Sequence, residues 1–112
     1  MKKYEMIKKN SDFNEILTTG KKVKNEYFMI FYIPSKYYPP KFGLAVNKNS
    51  GNAYIRNKMK RITRNIIDQN RNMFKNQLNY IIMIKSSCLL VKYDKLNVEL
   101  NNLIREINEK DE

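Results

Sequence analysis

One stretch of the sequence, residues 48–64, combines side chains that can bind phosphate with a spacing that keeps them exposed. It contains six cations, namely Lys48, Arg56, Lys58, Lys60, Arg61 and Arg64. We predict a helix that starts at Gly51 and Asn52, because an Asn side chain can accept hydrogen bonds from the free amides of a first turn. The apolar residues then recur at a helical period and predict a buried face made of Ile55, Met59, Ile62, Ile66 and Met73. The cations lie off that face, so they could follow a nucleic-acid backbone.

A solvated helix surface is the ordinary meaning of such a run of charge. Surface helices usually alternate Glu with Lys, since oppositely charged neighbours one turn apart stabilise each other. This helix has no acidic residue before Asp68. The pattern therefore favours binding to a polyanion.

The sequence predicts no catalytic site within the protein itself. A protein nuclease needs a general base, a carboxylate cluster that binds metal, or an activated nucleophile, and the chain has no histidine. Cys88 is the single cysteine and is predicted to be structural. The acidic residues before the last helix are scattered: Glu5, Asp12, Glu15, Glu26 and Asp68. We expect that the protein alone cleaves nothing.

The charge is unevenly distributed along the 112 residues. Residues 1–93 contain 19 basic and 5 acidic side chains, a net charge of +14, whereas residues 94–112 contain 3 and 6, a net charge of −3. The acidic end is expected to face away from the nucleic acid. No segment is apolar enough to predict a membrane span or a signal peptide, so we expect a cytoplasmic protein without a membrane partner.

The pattern along the chain predicts a single domain, residues 1–112, of mixed helix and sheet. Ser11 is predicted to cap a first helix that Gly20 ends. Residues 22–33 are predicted to be extended, with both faces of 26–33 at least partly covered. Prolines place a loop around residues 36–38. We predict that residues 41–47 form a hairpin with the preceding strand, that the basic helix runs to about Phe74, that residues 80–84 form a strand, and that Asp94 caps a last helix.

The basic helix carries a family resemblance. Gly51-Asn52-Ala53, Arg56-Asn57, Lys60-Arg61 and Arg64 match the signature of the protein subunit of bacterial ribonuclease P. Two positions depart from it: Lys58 stands where the family usually has arginine, and Asn49 stands where a second lysine often follows Lys48. Lysine keeps the charge but lacks the planar fork of arginine. On the residues themselves, the resemblance covers the first two thirds of the chain and fades after about Ile84.

The resemblance implies a fold. It is an α+β, two-layer sandwich in which helix, three strands, helix, strand and helix follow one another around a mixed four-stranded sheet, similar to the ribosomal protein S5 domain 2-like fold. That fold has a left-handed crossover, whereas strand–helix–strand units in general are right-handed. We follow the family.

The resemblance also implies a function, the removal of the 5′ leader of precursor tRNA by a catalytic RNA that the protein assists. Magnesium would be held mainly by the RNA and the substrate. The residues implied to dock on the catalytic RNA are Lys48, Asn52, Arg56, Asn57, Lys58, Lys60, Arg61 and Arg64. Phe13, Leu17 and Phe31 are similar to residues that line a cleft for the leader, although the family commonly has phenylalanine at position 17. The same three side chains could equally belong to a helix-on-sheet core.

Two other functions compete on the sequence alone. A structural RNA-binding protein of the ribosome would share the charge, the size and even the fold, although the motif spacing argues against it. A DNA-binding protein would place the basic helix in a major groove, and it would need a supporting helix just before Asn52. We predict a strand there, and so expect no DNA partner.

Overall fold

Within the described residues, the fold is an α+β sandwich of three helices and a mixed four-stranded sheet, as predicted. The computed structural model describes residues 6–7, 9–35, 40–75 and 77–110, and of Lys48 it describes the backbone alone. The elements in chain order are α1 (Asn10–Thr19), β1 (Lys21–Lys24), β2 (Phe28–Pro34), β3 (Phe42–Val46), α2 (Ala53–Gln69), β4 (Leu78–Ile84) and α3 (Tyr93–Lys110), with short 3₁₀ segments at Lys48–Ser50, Arg71–Met73 and Ser86–Leu90. The loop predicted around residues 36–38 lies outside the described residues.

The strand order β1-β2-β4-β3 corrects one prediction about pairing. We predicted a hairpin between β2 and β3, but β4 lies between them, antiparallel to β2 and parallel to β3. The apolar run of β4 explains this placement, because Tyr80, Ile81 and Ile82 are all fully buried and a central strand needs cover on both faces. The left-handed sense of the β3–α2–β4 crossover stays a prediction.

One face of the sheet forms the main core. Ile30 is paired in register with Ile82, and Ile82 with Leu44, so the three side chains lie in one row across the sheet. All three are buried in a cluster with the apolar stripes of α2 and α3, including Ile66 and Leu100. As predicted, β2 is covered on both sides: its core-facing residues are buried, and the alternate ones are half-buried.

The other face of the sheet is covered only in part. Helix α1 packs across β2 and β4 on this side, and its Ile16 is almost completely buried. Beyond α1, Met29, Phe31 and Met83 stay half-buried. An open patch of sheet therefore lies beside the first helix.

The predicted caps of the first and last helices are wrong. Helix α1 begins at Asn10, so Ser11 lies inside its first turn, and the N-cap residue Lys9 makes no side-chain cap. Helix α3 begins at Tyr93, which places Asp94 inside its first turn too. The sequence pattern resembled a cap because Ser and Asp are common at N-cap positions, and Asp12 and Asp94 in the two first turns still interact favourably with the helix dipole.

Helix α2 starts where predicted and ends earlier. The Asn52 Oδ1 accepts a hydrogen bond from the backbone amide of Ile55 at 3.0 Å. The helix ends at Gln69 instead of Phe74, because the Asn70 side-chain amide donates to the Ile66 carbonyl and to Asn97 Oδ1 of α3, each at 2.8 Å. These bonds fix the helix end against α3, and a 3₁₀ turn follows.

Candidate nucleic-acid interface

A tight turn positions the start of α2. Gly51 has a positive φ of 147°, and a Cβ built on it would approach three side-chain carbons of Ile55 to 3.1 Å. Glycine is therefore required here both by the backbone conformation and by the close packing of Ile55. The turn directs the chain from β3 into the helix, so that the first cations emerge directly beside the edge of the sheet.

The structure places the predicted RNA-binding residues on α2 around three sides of its exposed surface. Arg56, Asn57 and Lys60 line a pocket of about 250 Å³ against Val46 at the edge of the sheet. Lys58 lies on the opposite side of the helix, where it lines a second cavity.

Between those two sides, Arg61 and Arg64 are exposed, as is the capping residue Asn52. Lys48 belongs to the 3₁₀ segment before the helix, and its side chain lies outside the described part of the structure. The basic surface thus wraps around α2 and does not form a single line.

The cations of α2 have no protein counter-ions within the described residues. None of Arg56, Lys58, Lys60, Arg61 and Arg64 forms a described ion pair, whereas on α3 Lys95 pairs with Glu99 at 3.6 Å and Lys110 pairs with Glu106 at 3.0 Å.

The Nε of Arg56 is in addition buried and has no hydrogen-bond partner among the described residues. A buried donor without a partner is costly to the fold, and with its Nε shielded the Arg56 guanidinium can meet a ligand only through its terminal nitrogens. The unpaired cations make the surface of α2 suited to an anionic ligand.

The aromatic residues predicted to line a cleft come together on the open face of the sheet. Phe31 is paired in register with Ile81, and Ile81 with Gly43, so the three form a row across β2, β4 and β3. The ring of Phe13 lies against Gly43, since a Cβ built there would be 2.8 Å from Phe13 Cε2. The structure thus brings Phe13 and Phe31 to one row of the sheet face.

All three predicted cleft residues are half-buried. Phe13, Leu17 and Phe31 lie outside the main core cluster, which is on the other side of the sheet. Leu17 follows Phe13 by one turn of α1, and the buried residue between them is Ile16. This placement distinguishes them from the fully buried aromatics, such as Phe42 and Tyr80, which stack at 5.5 Å inside the core.

Sequence reasoning missed three residues of this face. Gly43 has no side chain, and the Phe13 ring lies in the space that a larger residue at position 43 would need. Lys22 and Lys24 are exposed on β1, paired in register with Phe31 and Met29. Cross-strand partners share a face, so both lysines border the open patch. The signal was present in the alternation Lys22-Val23-Lys24, since an apolar residue between two lysines predicts that the lysines face the side opposite to the core.

No group of three or more described His, Cys, Asp or Glu side chains could hold a metal ion. The Cys88 thiol is buried and donates to the Tyr27 carbonyl at 3.1 Å. Burial raises the pKa of Cys88 from 9.0 to about 11, so the thiol is protonated at neutral pH and is a poor nucleophile.

Two structural features bear on the alternatives of a DNA partner and a membrane partner. Strand β3 and a 3₁₀ turn precede α2, where a helix-turn-helix DNA-binding protein would need a supporting helix. Among the described helices, none combines the length and the apolar character needed to cross a membrane.

Comparison with known proteins identifies the family. The family described as Ribonuclease P matches residues 1–108. The chain belongs to the ribonuclease P protein family. The ribonuclease P protein component of Mycoplasma mycoides is 41% identical over 108 residues, which are 96% of this chain and 99% of that protein. That of Bacillus cereus strain AH187 is 29% identical over 94% of this chain and 92% of its own length.

Solved structures of ribonuclease P proteins share the fold. The protein from Thermotoga maritima superposes with a TM-score of 0.83 at 24% identity, covering 91% of this chain and 96% of its own. The Staphylococcus aureus protein also gives a TM-score of 0.83, at 25% identity, covering 92% of this chain and 94% of its own. These structural matches confirm the fold class, and the family match confirms the family that the basic helix resembles.

The family match corrects the predicted extent of the resemblance. The family match continues to residue 108, whereas the sequence motifs alone predict a resemblance that fades after about Ile84. The contribution of α3 is an apolar stripe that includes Leu100, Ile104 and Ile107, and such a stripe has no fixed polar motif to recognise. Family membership makes the chain the protein subunit of ribonuclease P, which partners an RNA subunit and takes part in tRNA processing.

Proposed function

We propose that the two surfaces of this ribonuclease P protein have separate ligands. Helix α2 binds the catalytic RNA, and the open sheet face beside α1 binds the 5′ leader of precursor tRNA. The endonucleolytic cleavage that removes the leader occurs in the RNA, and the protein is an accessory component of this cytoplasmic ribonucleoprotein without catalytic residues of its own.

The unpaired charge of α2 is the observation that carries the first half of the proposal. A surface that only needed to be solvated would gain from ion pairs such as Lys95–Glu99 on α3. Five α2 cations lack a described partner, and the buried Nε of Arg56 lacks an acceptor among the described residues. RNA phosphates supply the missing negative charge, and their oxygens can accept from the accessible guanidinium and ammonium nitrogens of this surface.

The second half rests on the chemistry of the open sheet face. Single-stranded RNA is bound by stacking bases on aromatic rings while cations follow its backbone. Phe13 and Phe31 provide rings, and Lys22 and Lys24 border them on β1. Leu17 offers an apolar contact in place of a stacking ring. An extended leader lying over this row would have its bases against the sheet and its phosphates near the lysines.

No three described carboxylate, thiol or imidazole ligands converge. We propose that magnesium is held mainly by the RNA and the substrate. The chain itself contributes by holding the leader and by offsetting the repulsion between two polyanions, which favours the bound geometry of the substrate.

The salt dependence of RNA binding tests the role of α2. We expect the triple variant Arg56→Ala, Lys60→Ala, Arg64→Ala to bind the cognate RNA more weakly, with a log–log salt slope flatter by roughly one unit for each phosphate that is no longer neutralised. The melting temperature should not fall, since none of the three side chains belongs to the core cluster. A matched control, Lys95→Ala on α3, should leave the affinity for RNA and the salt slope at their original values. Unchanged affinity and slope in the triple variant would contradict the proposal.

A further inference from the structure

A cavity of about 340 Å³ opens on the side of α2 opposite to the sheet edge. Three elements enclose it: the first turns of α2, the 3₁₀ segment Ser86–Leu90, and the start of α3. Its floor consists of core residues, among them Phe28, Met59 and Ile84. The volume lies at the small end of the range of about 300–1,000 Å³ that is usual for ligand pockets.

The mouth of this cavity is apolar and unusually exposed. Tyr54 is 72% exposed at its rim, Leu89 is 41% exposed in its wall, and the neighbouring Leu90 is 97% exposed. Exposed apolar side chains grouped around a cavity are typical of binding sites. Tyr93, also in the wall, has its hydroxyl hydrogen-bonded to Gln69 Oε1 at 2.8 Å, so its ring is held in place.

The cavity is continuous with the basic surface of α2. Tyr54, Lys58 and Arg61 are separated by four and three residues, so they lie in one row along the helix. Lys58 is the one cation among the described lining residues, and those residues include no carboxylate. A polyanion bound along α2 would therefore pass the mouth of the cavity, and its phosphates would meet Lys58 there.

We propose that this cavity takes an unstacked base of the RNA that binds α2. The base inserts between the apolar walls and stacks on Tyr54, and Lys58 contacts the adjoining phosphate. RNA-binding proteins select unstacked bases in this way, with an aromatic ring for the base and a cation for the backbone. The inference rests on the proposed function, because it assumes that RNA lies along α2.

Substitution of Tyr54 tests the inference with the full protein and the RNA subunit of the same cell. We expect Tyr54→Ala to weaken binding by about fivefold to 150-fold, the loss of one stacked base. The salt slope should stay unchanged, because every cation that neutralises a phosphate is still present. Tyr54→Phe keeps the ring and should bind like the original protein, as should Val98→Ala, a change at an exposed apolar residue of α3 that does not line the cavity.

Dimethyl sulfate probing of the bound RNA locates the base. In the original complex, one unpaired adenine or cytosine should be protected, and with Tyr54→Ala the same base should become reactive while the rest of the protein footprint persists. The high exposure of Tyr54 means that the fold should survive, which the melting temperature checks.

Three results would overturn the inference. If Tyr54→Ala binds normally and changes no base reactivity while Arg56→Ala still weakens binding, the cavity takes no base although the proposed function stands. If neither substitution affects binding, both the inference and the proposed role of α2 fail. If Tyr54→Ala changes only the sedimentation of the free protein, the cavity is an interface between copies of this chain.

Discussion

Gly43→Ala should displace the Phe13 ring and thereby link the stability of α1 to leader binding. The added Cβ would lie 2.8 Å from Phe13 Cε2, 3.1 Å from Phe13 Cδ2 and 3.2 Å from Ile81 Cγ1. The first of these distances is shorter than real Cβ atoms allow, so the ring or the helix that carries it must move. Only glycine at position 43 permits the observed packing.

Two opposing effects determine how much Gly43→Ala should change the free energy of unfolding. Overpacking of this kind typically destabilises a protein by about 1–3 kcal/mol. Alanine is otherwise better than glycine in a strand by roughly 0.5–1 kcal/mol, because glycine loses more conformational entropy on folding. In a Phe13→Ala background the clash with the ring disappears and only the 3.2 Å approach to Ile81 Cγ1 remains, so Gly43→Ala should be much less destabilising there. The cost of the substitution should therefore depend on the residue at position 13.

Urea unfolding of the four proteins of this double-mutant cycle measures the effect. We expect a coupling energy of at least about 1 kcal/mol between positions 13 and 43, with an unchanged m value. The same proteins should be tested for binding to precursor tRNA, with mature tRNA as the control that lacks a leader. Gly43→Ala should weaken binding to the leader-bearing substrate alone.

An additive cycle would refute the packing of Phe13 against Gly43. If the cycle shows coupling but Gly43→Ala does not selectively weaken binding to precursor tRNA, the packing of Phe13 against Gly43 is confirmed. The same result would contradict the role of this sheet face as the leader cleft.

Three further outcomes are expected. Phe31→Ala should weaken binding to precursor tRNA by roughly fivefold or more while mature tRNA binds as before, and a large fall in melting temperature without that selectivity would assign Phe31 to the core. Lys22→Ala should flatten the salt slope of precursor binding and leave that of mature tRNA alone, whereas equal slopes for both substrates would remove β1 from the cleft. Cys88 should react with iodoacetamide about 100-fold more slowly at neutral pH than a free thiol, since a pKa raised from 9.0 to about 11 leaves a hundredth of the thiolate. Fast alkylation of the folded protein would contradict its burial.

The sequence predicted the positions of helices and strands better than it predicted which strands pair in the sheet. The start of α2 was predictable because Asn52 caps it by a local hydrogen bond. The placement of β4 between β2 and β3 was not predictable in this way. Strand pairing is decided by burial on both faces of the sheet, and the local sequence of a strand does not show which strand will lie beside it. The end of α2 also depends on a distant group, Asn97 of α3, which receives a hydrogen bond from Asn70.

The candidate site was predictable where a motif carried it. The spacing of Arg56, Asn57 and Lys60 identified the basic helix, but periodicity could not show that the surface divides around α2 between two cavities. Gly43 was missed because its role is to leave room for the Phe13 ring, which comes from the first helix of the chain. Such packing between α1 and an edge strand has no signal in local sequence.

The most direct test of the central claim is cleavage of precursor tRNA by the purified protein with and without its cognate RNA. At low magnesium concentration, RNA-free protein should leave the substrate intact, and addition of the RNA should restore cleavage at the mature 5′ end. This result is expected because the proposed function assigns the cleavage to the RNA. Robust cleavage at that position by protein freed of RNA would contradict this account.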